Sequence, residues 1–226
     1  MSEIKLNTTD FDCVSNAYIY DLPESIIASG YSVRTELPTT IADKDFLRAQ
    51  RLSNLANDNP AHGQYLTGIR VNFDLRFSNK AWVEAERYRF FEFISSQSTM
   101  HCIVKFDIKK QCNKYVLPEI IHILENMVHD YHVMQAELKS ATAEHDAQLV
   151  EKLENELKEQ RLKILYNVPS GFELTARITT NYRCLKNIYW QRYDHSLPEW
   201  RQFCEWIAQL PYAEYLITNS ETWQEQ

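Results

Sequence analysis

Glycine is nearly missing from this chain, with four residues in 226. Neither G-x-G-x-x-G nor G-x-x-x-x-G-K-[ST] occurs. That removes the backbone cradles on which Rossmann units and P-loops hold phosphate. So few glycines also argue against a sandwich built on many tight turns. Cysteine occurs five times, an odd number, with no C-x-x-C pair; the expectation is reduced thiols in a cytoplasmic protein. No apolar run reaches the length of a membrane span, and the segment from Met1 to Asp10 is polar and acidic, unlike a signal peptide. No membrane partner is expected. Positive charge is in deficit, with a net charge of −7. This excludes a broad duplex nucleic-acid surface and leaves room for a local basic pocket.

What is present fits a folded globular chain. Hydrophobic residues make up 44% and charged residues 24%, and 226 residues are enough for one sizeable domain or two small ones with core enough to fold. Residues 1–60 read as irregular, with short strands at Ala17-Tyr18-Ile19-Tyr20 and Tyr31-Ser32-Val33-Arg34. Residues 68–77 alternate apolar and polar, predicting a half-buried strand with Ile69, Val71, Phe73, Leu75 and Phe77 inward. Ser78 or Asn79 can cap a helix over 80–95, whose stripe would carry Trp82, Ala85, Arg89 and Phe93. Residues 100–108 read as a strand. Helical periodicity returns over 118–140, and a highly charged helix follows over 141–165. Together they predict a helical hairpin insertion spanning 115–165, with a solvated face of i,i+4 charge pairs. After the Val168-Pro169-Ser170-Gly171 turn comes a strand over 172–180. A helix follows from Thr180 or Asn181 to about Tyr193. Ser196 is read as the cap of a last helix, with Pro198 in its first turn and Trp200, Phe203, Cys204, Ile207 and Ala208 on its buried stripe.

Two segments concentrate groups that bind phosphates and planar heterocycles. Arg87-Tyr88-Arg89 leads into Ser95-Ser96-Gln97-Ser98-Thr99-Met100-His101. Asn181-Tyr182-Arg183 leads through Asn187 to Arg192. Guanidinium gives a bidentate fork, and Asn and Gln give a paired donor and acceptor. Arg183, Asn187 and Gln191 fall one turn apart on a single helix face. A second stripe, His122, Glu125, His129 and His132, has helical spacing. It lacks H-E-x-x-H or a Cys pair, so it reads as a polar helix face and no metal is assigned. No G-x-S-x-G elbow supports a Ser–His–Asp site.

The block V-P-S-G-F-E-L-T-A-R-I-T-T-N-Y-R-C-L-K-N-I-Y-W-Q-R, followed by L-P-E-W-R-Q-F-C-E-W-I, resembles the C-terminal half of flavin-dependent thymidylate synthases. That family has a Leu-Pro turn, a strand, N-x-R-S-L, and a closing Leu-Arg. Here the turn is Val168-Pro169, N-x-R is Asn181-Tyr182-Arg183, the later amide is Asn187 and the closing arginine is Arg192. The resemblance implies a single α+β domain over residues 1–226, a mixed sheet with packed helices. It implies that Asn181, Arg183 and Asn187 touch FAD, and that Arg192 faces and polarises a dUMP-like pyrimidine nucleotide. The family's R-H-R-x-x-S-x-N-E-x-S-x-R-Y is met most fully with Arg89-Phe90-Phe91 on R-H-R. Ser96-Gln97 then fall on N-E, Thr99 on Ser and His101 on the last Arg. In that register Arg89, Gln97, Thr99 and His101 approach the nucleotide. The implied activity is reductive methylation in dTMP biosynthesis, with reduced FAD and a folate one-carbon donor, in a homotetramer. Phe90, Phe91 and Leu165 depart from the pattern. They favour a second reading, a catalytically inactive relative that binds a nucleotide or a protein.

Overall fold

The computed structural model describes residues 2–219. The chain divides into two compact units. The first comprises the described residues of Met1–Phe77, Ala81–Ser96 and Thr175–Gln226; the second comprises Ser78–Lys80 and Gln97–Leu174.

The first unit is organised by a five-stranded sheet. Its strands are β1 (Glu3–Lys5), β2 (Val14–Tyr20), β3 (Arg70–Ser78), β4 (Glu92–Ser96) and β5 (Glu173–Asn181), in the order β1-β2-β3-β5-β4. The pairs β1–β2, β2–β3 and β4–β5 are antiparallel. The alternation read along residues 68–77 is realised, with Ile69, Val71, Phe73, Leu75 and Phe77 all buried. Period-two patterning puts these five on one face of the pleat and leaves Asn72, Asp74 and Arg76 on the other. Helix α9 (Pro198–Ala208) packs its aromatic stripe on the apolar face. Phe73 meets Trp206 at 4.8 Å and Phe203 at 5.5 Å, and Phe77 meets Trp200 at 4.9 Å between ring centroids. Leu197 holds the N-cap position of α9 without a side-chain bond, so Ser196 is not its cap. Trp206, and not Ala208, completes the buried stripe.

Four local readings are corrected in this unit and the next. Residues 1–60 are not mainly irregular, for they hold α1 (Leu22–Ala28) and α2 (Asp43–Leu55). Tyr31–Val33 is a 3-10 turn, not a strand. The helix expected over 80–95 stops early: α3 is Asn79–Ala85, and β4 begins at Glu92. The aromatic and β-branched residues after Ala85 find a ladder partner in β5, and a nonlocal pairing of that kind outweighs local helical spacing. Between α3 and β4, Phe90 takes the left-handed conformation at φ 67, which a continuing helix cannot accommodate.

The second unit is helical. Residues 100–108 do not form the expected strand; they form α4 (Thr99–Cys102), a 3-10 turn over Ile103–Lys105 and the start of α5 (Ile108–Gln111). The Asp107 carboxylate caps α5 by accepting the Lys110 N–H at 3.2 Å. Helices α6 (Pro118–Ala143) and α7 (Ala147–Tyr166) form a hairpin, and Asp146 caps α7 by accepting the Leu149 N–H. Ile103, Ile108, Leu124, Ile164 and Phe172 form this unit's own core. Among the described residues no helix is long and apolar enough to cross a membrane.

Candidate functional site

Helix α8 (Tyr182–Arg192) carries most of the site. It starts where β5 ends, because Asn181 leaves the strand in extended conformation and its side-chain oxygen accepts the Cys184 N–H at 3.0 Å. One face of α8 is apolar: Tyr182, Leu185 and Ile188 are buried in the first unit's core. The other face presents Arg183, Asn187 and Gln191, one turn apart as the spacing predicts.

Opposite that face runs the loop from Arg87 to Phe90. Its conformation is fixed from below. The Thr180 hydroxyl donates to the Phe90 carbonyl at 2.8 Å, and the Cys184 thiol donates to the Arg89 carbonyl at 3.5 Å. Burial raises the Cys184 pKa, so this sulfur stays a thiol and a donor. Phe91 is buried against Phe73 and Phe203, with ring centroids 6.1 Å from each. A substitution that departs from the family pattern is therefore a core anchor for the loop that carries Arg89. Phe90 faces out, with the Arg89 guanidinium 5.3 Å from its ring.

Loop and helix enclose a cavity of about 480 Å³. Arg89, Asn181, Arg183, Asn187 and Arg192 all line it, so five of the sequence-predicted residues converge. Arg87, Tyr88 and Gln191 line it as well, and among the described residues no carboxylate does. The remaining three predicted residues belong to the second unit: Gln97 precedes α4, Thr99 opens it and His101 sits in its last turn. Leu165 is packed beside the second unit's core.

Arg192 is the most constrained of the group. Its Nη1 donates to Glu84 Oε2 at 2.8 Å and lies 2.7 Å from His195 Nε2; its Nε donates to the Tyr88 hydroxyl at 2.7 Å. The guanidinium also stacks over Trp200 at 4.9 Å, and the ion pair with Glu84 is largely shielded from solvent. Trp200 Nε1 donates to the same carboxylate at 3.2 Å. The Tyr88 hydroxyl in turn donates to Gln191 Oε1 at 3.2 Å. Burial raises the Tyr88 pKa, while the Arg192 guanidinium pulls it the other way. Among the described residues Arg183 has a neutral partner, Gln64 Oε1 at 2.7 Å.

Sequence reading passed over Glu84 and Lys186. Glu84 lay within the expected helix with no visible cation, because its partner is far away in the chain. Lys186 did carry a signal: it is a lysine among the buried residues of α8. On the hairpin, His122 Nε2 lies 3.2 Å from Asn126 Nδ2, and His132 Nε2 lies 2.8 Å from the Val104 carbonyl. Among the described residues no His, Cys, Asp or Glu group is arranged to hold a metal ion.

No protein-family model matches the chain, and no curated protein matches it either. Solved structures do. A flavin-dependent thymidylate synthase ThyX from Helicobacter pylori, complexed with FAD and dUMP, aligns at a TM-score of 0.57 and 17% identity. The alignment covers 97% of this chain and 99% of that one. A second structure of the Helicobacter pylori enzyme with FAD and dUMP aligns at 0.57 and 18% identity, covering 89% and 94%. The α+β fold, with its five-stranded sheet and packed helices, is thus ThyX-like.

Proposed function

We propose that the protein is a flavin-dependent enzyme of the thymidylate synthase kind, acting on a pyrimidine nucleotide. One observation carries the reading. In a ThyX-like fold, the cavity gathers the five matching residues Arg89, Asn181, Arg183, Asn187 and Arg192 from a loop and a helix distant in sequence. The donor set suits the group: amides can meet the imide edge of a flavin or pyrimidine, and the guanidiniums of Arg89 and Arg183 can meet its phosphates.

In this reading Asn181, Arg183 and Asn187 hold FAD, Arg89 and Arg192 face the nucleotide, and Gln97, Thr99 and His101 remain nucleotide-binding candidates within the second unit. Bound FAD, once reduced, supplies the hydride equivalent, and a folate supplies the carbon. The chain supplies orientation and fixed positive charge. Arg192 is suited to the latter, since Glu84, Tyr88 and Trp200 set its position before any ligand arrives. A homotetramer in the cytoplasm belongs to the same proposal, and so does the hairpin over 115–165 as an insertion into one α+β domain.

The same Arg192 network favours a second reading, a relative that binds nucleotide without catalysis, because much of that guanidinium's hydrogen-bonding capacity is already taken by protein. FAD titration of the purified chain, with and without dUMP, followed by flavin fluorescence, tests both. Saturable FAD binding that dUMP strengthens, followed by dTMP formation with reductant and methylene-folate, supports the enzyme. Binding without turnover supports the second reading. Arg183→Ala should abolish FAD binding; unchanged affinity in that variant removes its assigned role.

A further inference from the structure

Helix α8 borders a second cavity, of about 430 Å³, walled also by the end of α2 and the 3-10 turn Pro60–Thr67. Asn57, Gly63, Arg183, Lys186, Asn187 and Trp190 contribute to its lining. Two of these are cations, and no carboxylate lines it in a chain whose net charge is −7. Lys186 is 7% exposed. Its Nζ donates to the Ser53 carbonyl at 2.7 Å and to Ser53 Oγ at 2.8 Å. Both acceptors are neutral, and an ammonium has three hydrogens to give. Among the described residues the third has no acceptor, and no carboxylate pairs with the charge. Among the described residues Arg183, on the same helix, is held by the Gln64 amide oxygen and no carboxylate.

A buried ammonium without a counter-charge is costly, and the cost falls when an anion enters beside it. We infer that this second cavity is a binding site for an oxyanion, the phosphate or carboxylate group of a ligand, held between Lys186 and Arg183 with Asn187 as an amide donor. The shared chemistry admits two sources: a free phosphate-bearing metabolite, or the phosphates of a dinucleotide whose rings lie in the first cavity. The inference itself does not depend on flavin binding, because the anion alone probes it.

The test is calorimetric titration of the full chain with inorganic phosphate at constant ionic strength in chloride. One saturable site is expected, weakened about tenfold or more in Lys186→Met and in Arg183→Gln, as for loss of one charge-assisted bond. Methionine keeps the buried volume. If that variant still fails to fold by circular dichroism, Arg183→Gln decides alone, since it leaves the Lys186–Ser53 bonds in place. Absence of saturable heat in the wild type, or wild-type affinity retained in the folded variants, overturns the site. A repeat with saturating FAD assigns the source. Loss of the phosphate heat means that the dinucleotide's own phosphates take the place, and persistence means a separate anion; either supports the site.

Discussion

Raising the pH should stabilise this protein through Lys186. Burial pushes the Lys186 pKa down to about 8, against about 10.4 in an unfolded chain. Between those values the unfolded state holds the proton and the folded state has released it. Stability therefore rises with pH across that window, and the burden of the buried charge is fully present below it. A difference of just over two pKa units corresponds to about 3 kcal/mol. The ammonium is bonded to Ser53 from α2, whose hydroxyl donates to the Leu216 carbonyl at 2.7 Å, and the neighbouring titratable group is the Tyr65 hydroxyl from the 3-10 turn, bonded to the Ala49 carbonyl at 2.6 Å. Burial raises the Tyr65 pKa beyond the window, so its phenol stays neutral there when folded. The assay is urea unfolding of wild type and Lys186→Met from pH 7 to 10.5, in chloride and without phosphate. Subtracting the two curves removes the tyrosine and cysteine titrations common to both. The wild type should gain about 3 kcal/mol on the variant over that range. A flat difference, or one that falls with pH, would refute the account of Lys186 as a charge buried at a net cost.

Two further predictions concern the first cavity. Glu84→Gln should leave the shielded Arg192 guanidinium without its carboxylate and lower stability by about 3 kcal/mol. Thermal melting followed by tryptophan emission reads this, since Trp200 contacts both partners. Asn181→Ala should remove the α8 cap at a cost of about 1 kcal/mol, a fall of about 2–4 °C in Tm for a chain of this size; an unchanged melting curve would dismiss the cap.

How much of this was legible in the sequence varies with the range of the forces involved. The inward residues of β3 and the polar face of α8 were readable, because each follows a local period that burial then enforces. The Arg87–Phe90 loop was not. Trp82, Ala85 and Arg89 keep helical spacing past the point where the helix stops, and what stops it is a strand partner more than eighty residues away, as in the pairing of Phe93 with Ile178. Arg89 still reaches the cavity, but from a loop and not from a helix stripe. Residues 100–108 misled by parity. Met100, Cys102, Val104, Phe106 and Ile108 alternate as a strand would, yet Ile103, of the opposite parity, is buried together with Ile108, while Met100 is exposed. The 3-10 turn over Ile103–Lys105 and the short helix that Asp107 caps bring those two isoleucines to one core. The tie between Arg192 and Glu84 was invisible for the same reason as β4: 108 positions separate them.

Arg183 and Asn187 line both the cavity beside the Arg87–Phe90 loop and the cavity beside Lys186. They make α8 a party wall, and a party wall carries loads from either room. A guest that draws the Arg183 guanidinium to its own side changes what the other side can offer. Whatever factor one guest imposes on the other's affinity, the second must impose on the first, because the free energy of the doubly occupied protein does not depend on the order of arrival.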